Sequence, residues 1–281
     1  MSVSPGSSAA ALVASGAPAP LVAAAAFTAL LAYAVAAGVP AGAQRIGGPA
    51  LVAGLLAHVV MLALDIGHLG ISGSAARLGF GPVLSLTVCA VVAVHTVESR
   101  LLPVPRVRRA LAVAGLGAVL LTLTFPGELR ILGSRWAPLH WLLGVAAYGL
   151  FGAAVLHALL LDESERRLRH RRAAAAPQTA SPAMPLLQLE RITFRFVQAG
   201  FGVLTAAIAL GMATSPQWRL DHKTVLSIVS WLLFAALLAG RHWRGWRGRQ
   251  ATRWLYAGAL VLLLAYAGTR FVTEVLLGRS A

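Results

Sequence analysis

The sequence predicts an all-α membrane protein, a polytopic bundle of about eight transmembrane helices with both termini outside. Three observations carry this expectation. Of 281 residues, 58% are hydrophobic and only 12% charged, with a mean hydropathy of +0.76; an average soluble domain is about 45–50% apolar and about 25% charged. Eight apolar stretches each approach the roughly 20 residues that cross a bilayer as a helix. Lysine and arginine are also shared unequally between alternate loops. Soluble and disordered classes are excluded, because a soluble fold of this length would have too little polar surface to cover itself.

Residues 1–19 are rich in Ser, Ala, Pro and Gly and carry no charge. A secretory signal has a basic segment ahead of its apolar core, so this stretch reads as a flexible outer leader and 20–38 as the first retained span. Further spans are expected at 50–70, 80–97, 109–125, 138–161, 196–214, 222–240 and 253–276, forming one transmembrane domain over 20–276. Pro40 and Gly42, Gly47 to Pro49, Gly81–Pro82, Pro103 and Pro105, Pro126–Gly127 and Pro216 stand at or between their ends, where helices break. The longest loop, 162–195, opens with DESERRLRHRR. That part reads as a charged helical extension of span five, with Glu165 and Arg169 at i,i+4. The following AAAAPQTASPAMP reads as a linker.

Loops after spans one, three, five and seven hold 17 of the 24 basic residues, which assigns those loops to the cytoplasm. The net charge of +15 therefore sets topology and contact with membrane lipids; no nucleic-acid partner is expected. The segment GRHWRGWRGRQATRW, 240–254, interleaves tryptophan with arginine, as suits an interface with anionic lipid. A single cysteine, Cys89, leaves no disulfide framework and no CxxC pair, which argues against a thiol-relay enzyme.

Histidines and intramembrane charges are the informative residues in such a chain. His140 opens span five and His222 span seven, both at the outer face. Two histidines at one membrane level can ligate a single iron axially; the plainer alternative is a helix-end residue bonded to backbone or headgroups. His58 falls mid-span, where it is a haem ligand, a proton-relay member or a histidine bonded to a neighbouring helix. Asp65 and His68, at i,i+3, share a helix face and either orient a ligand or satisfy one another. Arg270, one turn before Glu274, pairs with it or holds an anionic group, since its planar fork suits carboxylates. No residue set supports a hydrolase or transferase, so no catalytic activity is expected.

From Trp218 the sequence WRLDHKTVLSIVSWLLFAALLAG resembles the cytochrome c assembly protein family, the CcsA/CcmC/HemX group, and within it the YpjD-like inner-membrane branch. In that family an outward-facing tryptophan-rich loop ends in W-D-P-K-E-T and enters a helix containing L-x-x-W-L. Leu220, Asp221, His222 and Lys223 occupy the W-D-P-K places here, and Trp231 that of the helix tryptophan. Span five is similar to the family helix that begins with an outward haem-ligand histidine and carries a Y-A or Y-G pair, matched by His140 and Tyr148–Gly149. MPLLQLERITFRFVQAGFGVLT resembles the branch's cytoplasmic link into span six. The similarity covers roughly 138–276, and a span-two histidine, here His58, resembles a feature of the branch.

The resemblance implies a bacterial inner-membrane protein that binds or handles haem at the outer face, alongside other cytochrome c assembly proteins. It implies His140 as axial ligand with His222 or His58 as its partner, Trp218 stacked on the ring, Asp221 beside them, and Lys223 or Arg270 facing propionates. Two departures stand out. Only Trp218 and Asp221 remain of the tryptophan-rich loop in SPQWRLDHKT, and the second outward histidine has no counterpart over 241–281. These favour an accessory that regulates haem biosynthesis or scaffolds a complex over active haem transfer. An ion or small-molecule transporter is the other alternative, with only His58 at mid-membrane depth to support it.

The topology is testable by reporter fusion. Alkaline phosphatase joined within 174–185 is expected to be inactive, and a fluorescent protein there to mature. The reverse pattern is expected for fusions at residue 218, and an inverted result at both sites overturns the orientation.

Overall fold

The computed structural model describes residues 19–40, 43–66, 75–98, 105–131, 135–173, 186–214 and 221–272. Residues 1–18 of the expected leader (1–19) and 174–185 of the linker lie outside the described residues, while Ala19 already belongs to the first helix. Eight helices are long and apolar enough to cross a membrane, as the composition predicts. They are α1 Ala19–Gly38, α2 Gln44–Ile66, α3 Phe80–Glu98, α4 Pro105–Thr124, α5 Ala137–Ala173, α6 Leu186–Thr214, α7 His222–Arg244 and α8 Gly248–Leu263. The last continues as a π-helix over Leu264–Gly268. Helix α5 has 37 residues and so extends about 55 Å at 1.5 Å per residue; the charged DESERRLRHRR segment is its continuation. One feature is not helical. Strands β1, Ala75–Leu78, and β2, Glu128–Ile131, form a two-stranded antiparallel ladder with Ala75 opposite Ile131 and Leu78 opposite Glu128.

The chain divides into two compact units, α1–α4 with the strands, and α5–α8. In the first, Tyr33 is fully buried, and its ring lies where side chains at Gly54 and Gly115 would otherwise stand, 2.7 and 2.6 Å from their ideal Cβ positions. Gly81 brings α3 onto the last-turn carbonyls of Leu121 and Phe125, which sets the start of α3 beside the end of α4 and lets the strands pair beyond them. The open carbonyls at the end of α1 are met by arginine. Arg108 Nη2 donates to Val39 O at 3.0 Å, and Arg109 Nη2 to the same oxygen at 3.1 Å. Cations suit the negative end of a helix dipole, so these two basic residues close a helix.

The second unit is built on stacked rings. Phe151 of α5 and Phe234 of α7 lie 3.8 Å apart at 4°, and Gly200 and Gly258 supply the flat backbone on which these rings rest. Ser230 Oγ donates to Gly258 O at 2.9 Å, and Trp231 Nε1 to Thr205 Oγ1 at 2.9 Å. At one end, Asp162 accepts from Thr252 and Tyr256, while Glu190 pairs with Arg241 at 2.6 Å. The Arg241 guanidinium also sits 3.6 Å from the centroid of Phe194. The α7–α8 corner turns on Gly245, whose φ of 66° is left-handed, and Trp246 folds back over Gly240 and against Trp254. Within the tryptophan–arginine segment, Trp243 is the strongly exposed ring, at 81%; Trp246, Trp254 and Arg241 are half-buried and packed against the unit.

Two glycine substitutions separate packing from propensity. A Cβ at Gly258 would lie 2.7 Å from Phe234 Cε1, and Phe151 blocks that ring from moving away. Gly258→Ala is expected to destabilise by about 1–3 kcal/mol from overpacking, less the roughly 1 kcal/mol that alanine gains in a helix. Gly202→Ala, with nothing within 4 Å, is expected to be neutral or stabilising. Thermal unfolding in detergent compares them, and equal melting shifts would discount the ring contact.

Candidate functional site

His140 lies in the first turn of α5, its N–H bonded to Trp136 O. Its ring is directed across to α6, where Nδ1 is 3.0 Å from Ala207 O. A carbonyl only accepts, so Nδ1 carries a proton, and in the neutral ring Nε2 then holds the lone pair. Among the described residues none donates to that lone pair. Gly211 makes the approach feasible, because its ideal Cβ would lie 2.9 Å from His140 Cε1 and any side chain there would push the ring off. An imidazole whose Nδ1–H is tied to backbone oxygen presents Nε2 in the tautomer and orientation a metal ligand requires.

At the same end of this unit α7 begins. Asp221 is its N-cap, with Oδ1 accepting from Thr224 N at 2.8 Å and from Thr224 Oγ1 at 2.7 Å. Partial burial opposes ionisation of this carboxyl, but the Thr224 hydrogen bonds and the charges of Lys223 and His222 together outweigh it, holding its pKa below the ordinary value of 3.8. Asp221 is thus turned onto its own helix. His222, the first residue of α7, is exposed. Lys223 Nζ lies 5.9 Å from the Tyr266 ring centroid, and the buried Arg270 places Cζ 5.6 Å from the same centroid. Trp218, His68 and Glu274 lie outside the described residues.

His58 belongs to the first unit and is fully buried there. Its Nε2 is 2.6 Å from Ser85 Oγ, and its Nδ1 is 3.3 Å from Tyr33 Oη. Ser85 Oγ in turn donates to Ala118 O at 3.1 Å, which fixes every proton. Tyr33 donates to Nδ1, Nε2–H donates to Ser85, and Ser85 donates to the carbonyl. Four helices meet in this chain, and both imidazole nitrogens are committed. His157 similarly has Nδ1 at 2.7 Å from Ala153 O on its own helix and rests against Phe196. Among the described residues no three His, Cys, Asp or Glu side chains cluster as a metal site.

Hydropathy gave no sign of Tyr33 and Ser85 as partners of His58, or of Gly211 and Tyr266. The only available signals were the small residues that repeat along α2, α4 and α6, and the tyrosines embedded in otherwise aliphatic spans.

The family described as cytochrome C assembly protein matches residues 21–277. The chain is 30% identical over 268 residues to the inner membrane protein YpjD of Escherichia coli K12, covering 89% of this chain and 98% of that one. It is 36% identical over 148 residues to an uncharacterized 28.8 kDa protein of Azospirillum brasilense, spanning about half of each chain, 51% and 54%. It is 26% identical over 206 residues to the cytochrome c biogenesis protein CcsA of Prochlorococcus marinus SARG, covering 62% of this chain and 65% of that protein. No solved structure matches.

The cap gives a pH-dependent prediction. Because the folded-state pKa of Asp221 lies below 3.8, its contribution is fully present above that value and is lost as pH falls through the lower folded-state value. Asp221→Ala is expected to cost about 1 kcal/mol at neutral pH, and the gap to the parent protein is expected to close in acid. Melting temperatures across pH check this; a gap constant down to the lowest pH would remove Asp221's charge from the account.

Proposed function

The chain belongs to the cytochrome c assembly protein family, and from that membership we propose that it binds haem at the outer face of the bacterial inner membrane, with His140 as an axial ligand. It is a multi-pass inner-membrane protein, and its relatives named for cytochrome c biogenesis set the chemical context. The observation that carries the reading is the His140 ring. Nδ1–H on Ala207 O and the bare backbone of Gly211 leave Nε2 as an oriented, uncommitted lone pair.

Bound haem supplies an iron that takes an imidazole lone pair and carries two carboxylate side groups. His140 holds the iron. His222, exposed in the same unit, is the proposed second ligand, and Lys223 and Arg270 face the carboxylates. Charge supports an outward placement of this end. The other end of the unit carries Arg241 and Arg247 about Glu190, with Arg191, Arg195 and Arg253 nearby in sequence, and basic ends stay in the cytoplasm.

A role in holding haem or signalling its presence, without passing it to an apocytochrome, is favoured by the brevity of the segment between Thr214 and His222. A seven-residue connection offers no extended tryptophan-lined platform.

Purified protein given haem is expected to show a haem absorption band. His140→Ala is expected to weaken binding by at least about tenfold, as loss of a metal ligand or its support does. His222→Ala is expected to leave a bound but five-coordinate spectrum, and His58→Ala to keep the spectrum while lowering the melting temperature. A wild type that takes up no haem overturns the proposal.

A further inference from the structure

Helix α6 is longer than a membrane needs. Its 29 residues extend about 43 Å at 1.5 Å per residue, against a hydrocarbon layer of about 30 Å. Residues 196–214 carry no charged side chain and by themselves cover about 28 Å of that layer. The excess is the opening turns, which hold Glu190, Arg191 and Arg195 and so stand at the depth of the lipid phosphates.

These charges divide between two faces. Leu189, Glu190, Thr193, Phe194 and Val197 are buried against the rest of the unit, and Glu190 is taken by Arg241 and Arg247. At about 100° per residue, Arg191 and Arg195 fall on the opposite face, where both are exposed. With Leu187, Gln188 and Ile192 they line a hollow of about 400 Å³, within the roughly 300–1,000 Å³ of small-ligand sites.

The hollow is short of negative charge. Arg191 and Arg195 stand at i,i+4, a spacing at which like charges repel, and Glu190 is the only carboxylate of α6. Among the other described acids of the unit, Asp162 accepts from Thr252 and Tyr256, Glu163 and Glu165 pair with Arg167 and Arg169, and Asp221 caps α7. The sequence 174–185, which leads into α6, contains no acidic residue. The counter-charge for this face therefore comes from outside the unit, and at this depth the abundant anion is the lipid headgroup.

We propose that this face of α6 binds the headgroup of an acidic phospholipid. Arg191 and Arg195 hold its phosphate, since a guanidinium fork matches two phosphate oxygens at once. Gln188 donates beside them, and Leu187 and Ile192 lie against the first methylenes of the chains. Neither haem nor His140 enters, so the site stands or falls apart from the haem reading.

The full-length protein in detergent, titrated with phosphatidylglycerol or phosphatidylcholine and read by native mass spectrometry, tests this. The wild type is expected to bind phosphatidylglycerol about tenfold more tightly, the scale of a charge-assisted contact. Arg191→Gln combined with Arg195→Gln is expected to lose that preference with the melting temperature unchanged, both side chains being exposed. Arg167→Gln combined with Arg169→Gln removes the same formal charge from arginines already paired and is expected to keep it. Gln188→Trp, which fills the hollow and leaves both charges, is expected to lose it. Equal binding of the two lipids by the wild type, equal loss in both arginine pairs, or an undiminished preference in Gln188→Trp overturns the site. Displacement of phosphatidylglycerol by millimolar inorganic phosphate overturns the lipid as its occupant.

Discussion

Hydrocarbon offers no hydrogen bond, and the disposition of polar side chains in this chain follows from that constraint. Thr28, Thr87, Thr122, Thr193 and Thr214 each return their hydroxyl to the carbonyl four residues back. Thr205 does so too and also accepts from Trp231 Nε1. Ser230 crosses to the backbone of α8. The His58 chain obeys the same rule over a longer path, three side chains ending on one carbonyl. Against this background a polar atom left open carries information. His140 Nε2 is such an atom, held in place by a hydrogen bond on the far side of its ring.

Packing follows a second rule that the membrane imposes. Lipid chains are as apolar as leucine, so helices associate through close contact and not through escape from water. The repeated contact here is a ring laid on a glycine: Tyr33 on Gly54 and Gly115, Phe151 on Gly200, Phe234 on Gly258, Trp246 on Gly240. His140 on Gly211 is the same device applied to a polar ring. The ligand candidate is thus seated by the kind of contact that seats the core aromatics, with a hydrogen bond to Ala207 O added. A residue on a loop would lack that support.

This explains which parts of the structure were legible in the sequence. Span number follows from hydropathy, and the α7 start is visible in Asp221 preceding Thr224 by three residues, a capping spacing. The charged continuation of α5 is visible because Glu163–Arg167 and Glu165–Arg169 recur at i,i+4. Helix faces are another matter. Spans such as α1 and α2 are apolar all round, so periodicity does not say which side meets protein and which meets lipid. The partners of His58 and the division into two units both depend on that missing direction. The short β1–β2 ladder was hidden for a different reason, since four residues paired across a gap in sequence leave no pattern of their own.

The settings of His58 and His140 also explain why one suits a ligand and the other does not. Using His58 for a metal would remove one of its nitrogens from the chain, stranding either the Tyr33 hydroxyl or the Ser85 oxygen among helices with no water to replace it. An unsatisfied buried group costs about 1–3 kcal/mol, set directly against the binding energy. Ligation through His140 Nε2 strands nothing among the described residues, because the hydrogen bond the ring makes there, to Ala207 O, is the one that keeps the lone pair available. The same bond persists on ligation and strengthens as the ring gains positive character. His58 therefore joins four helices through one directional chain, while His140, where α5 begins, keeps its Nε2 outside any such chain among the described residues.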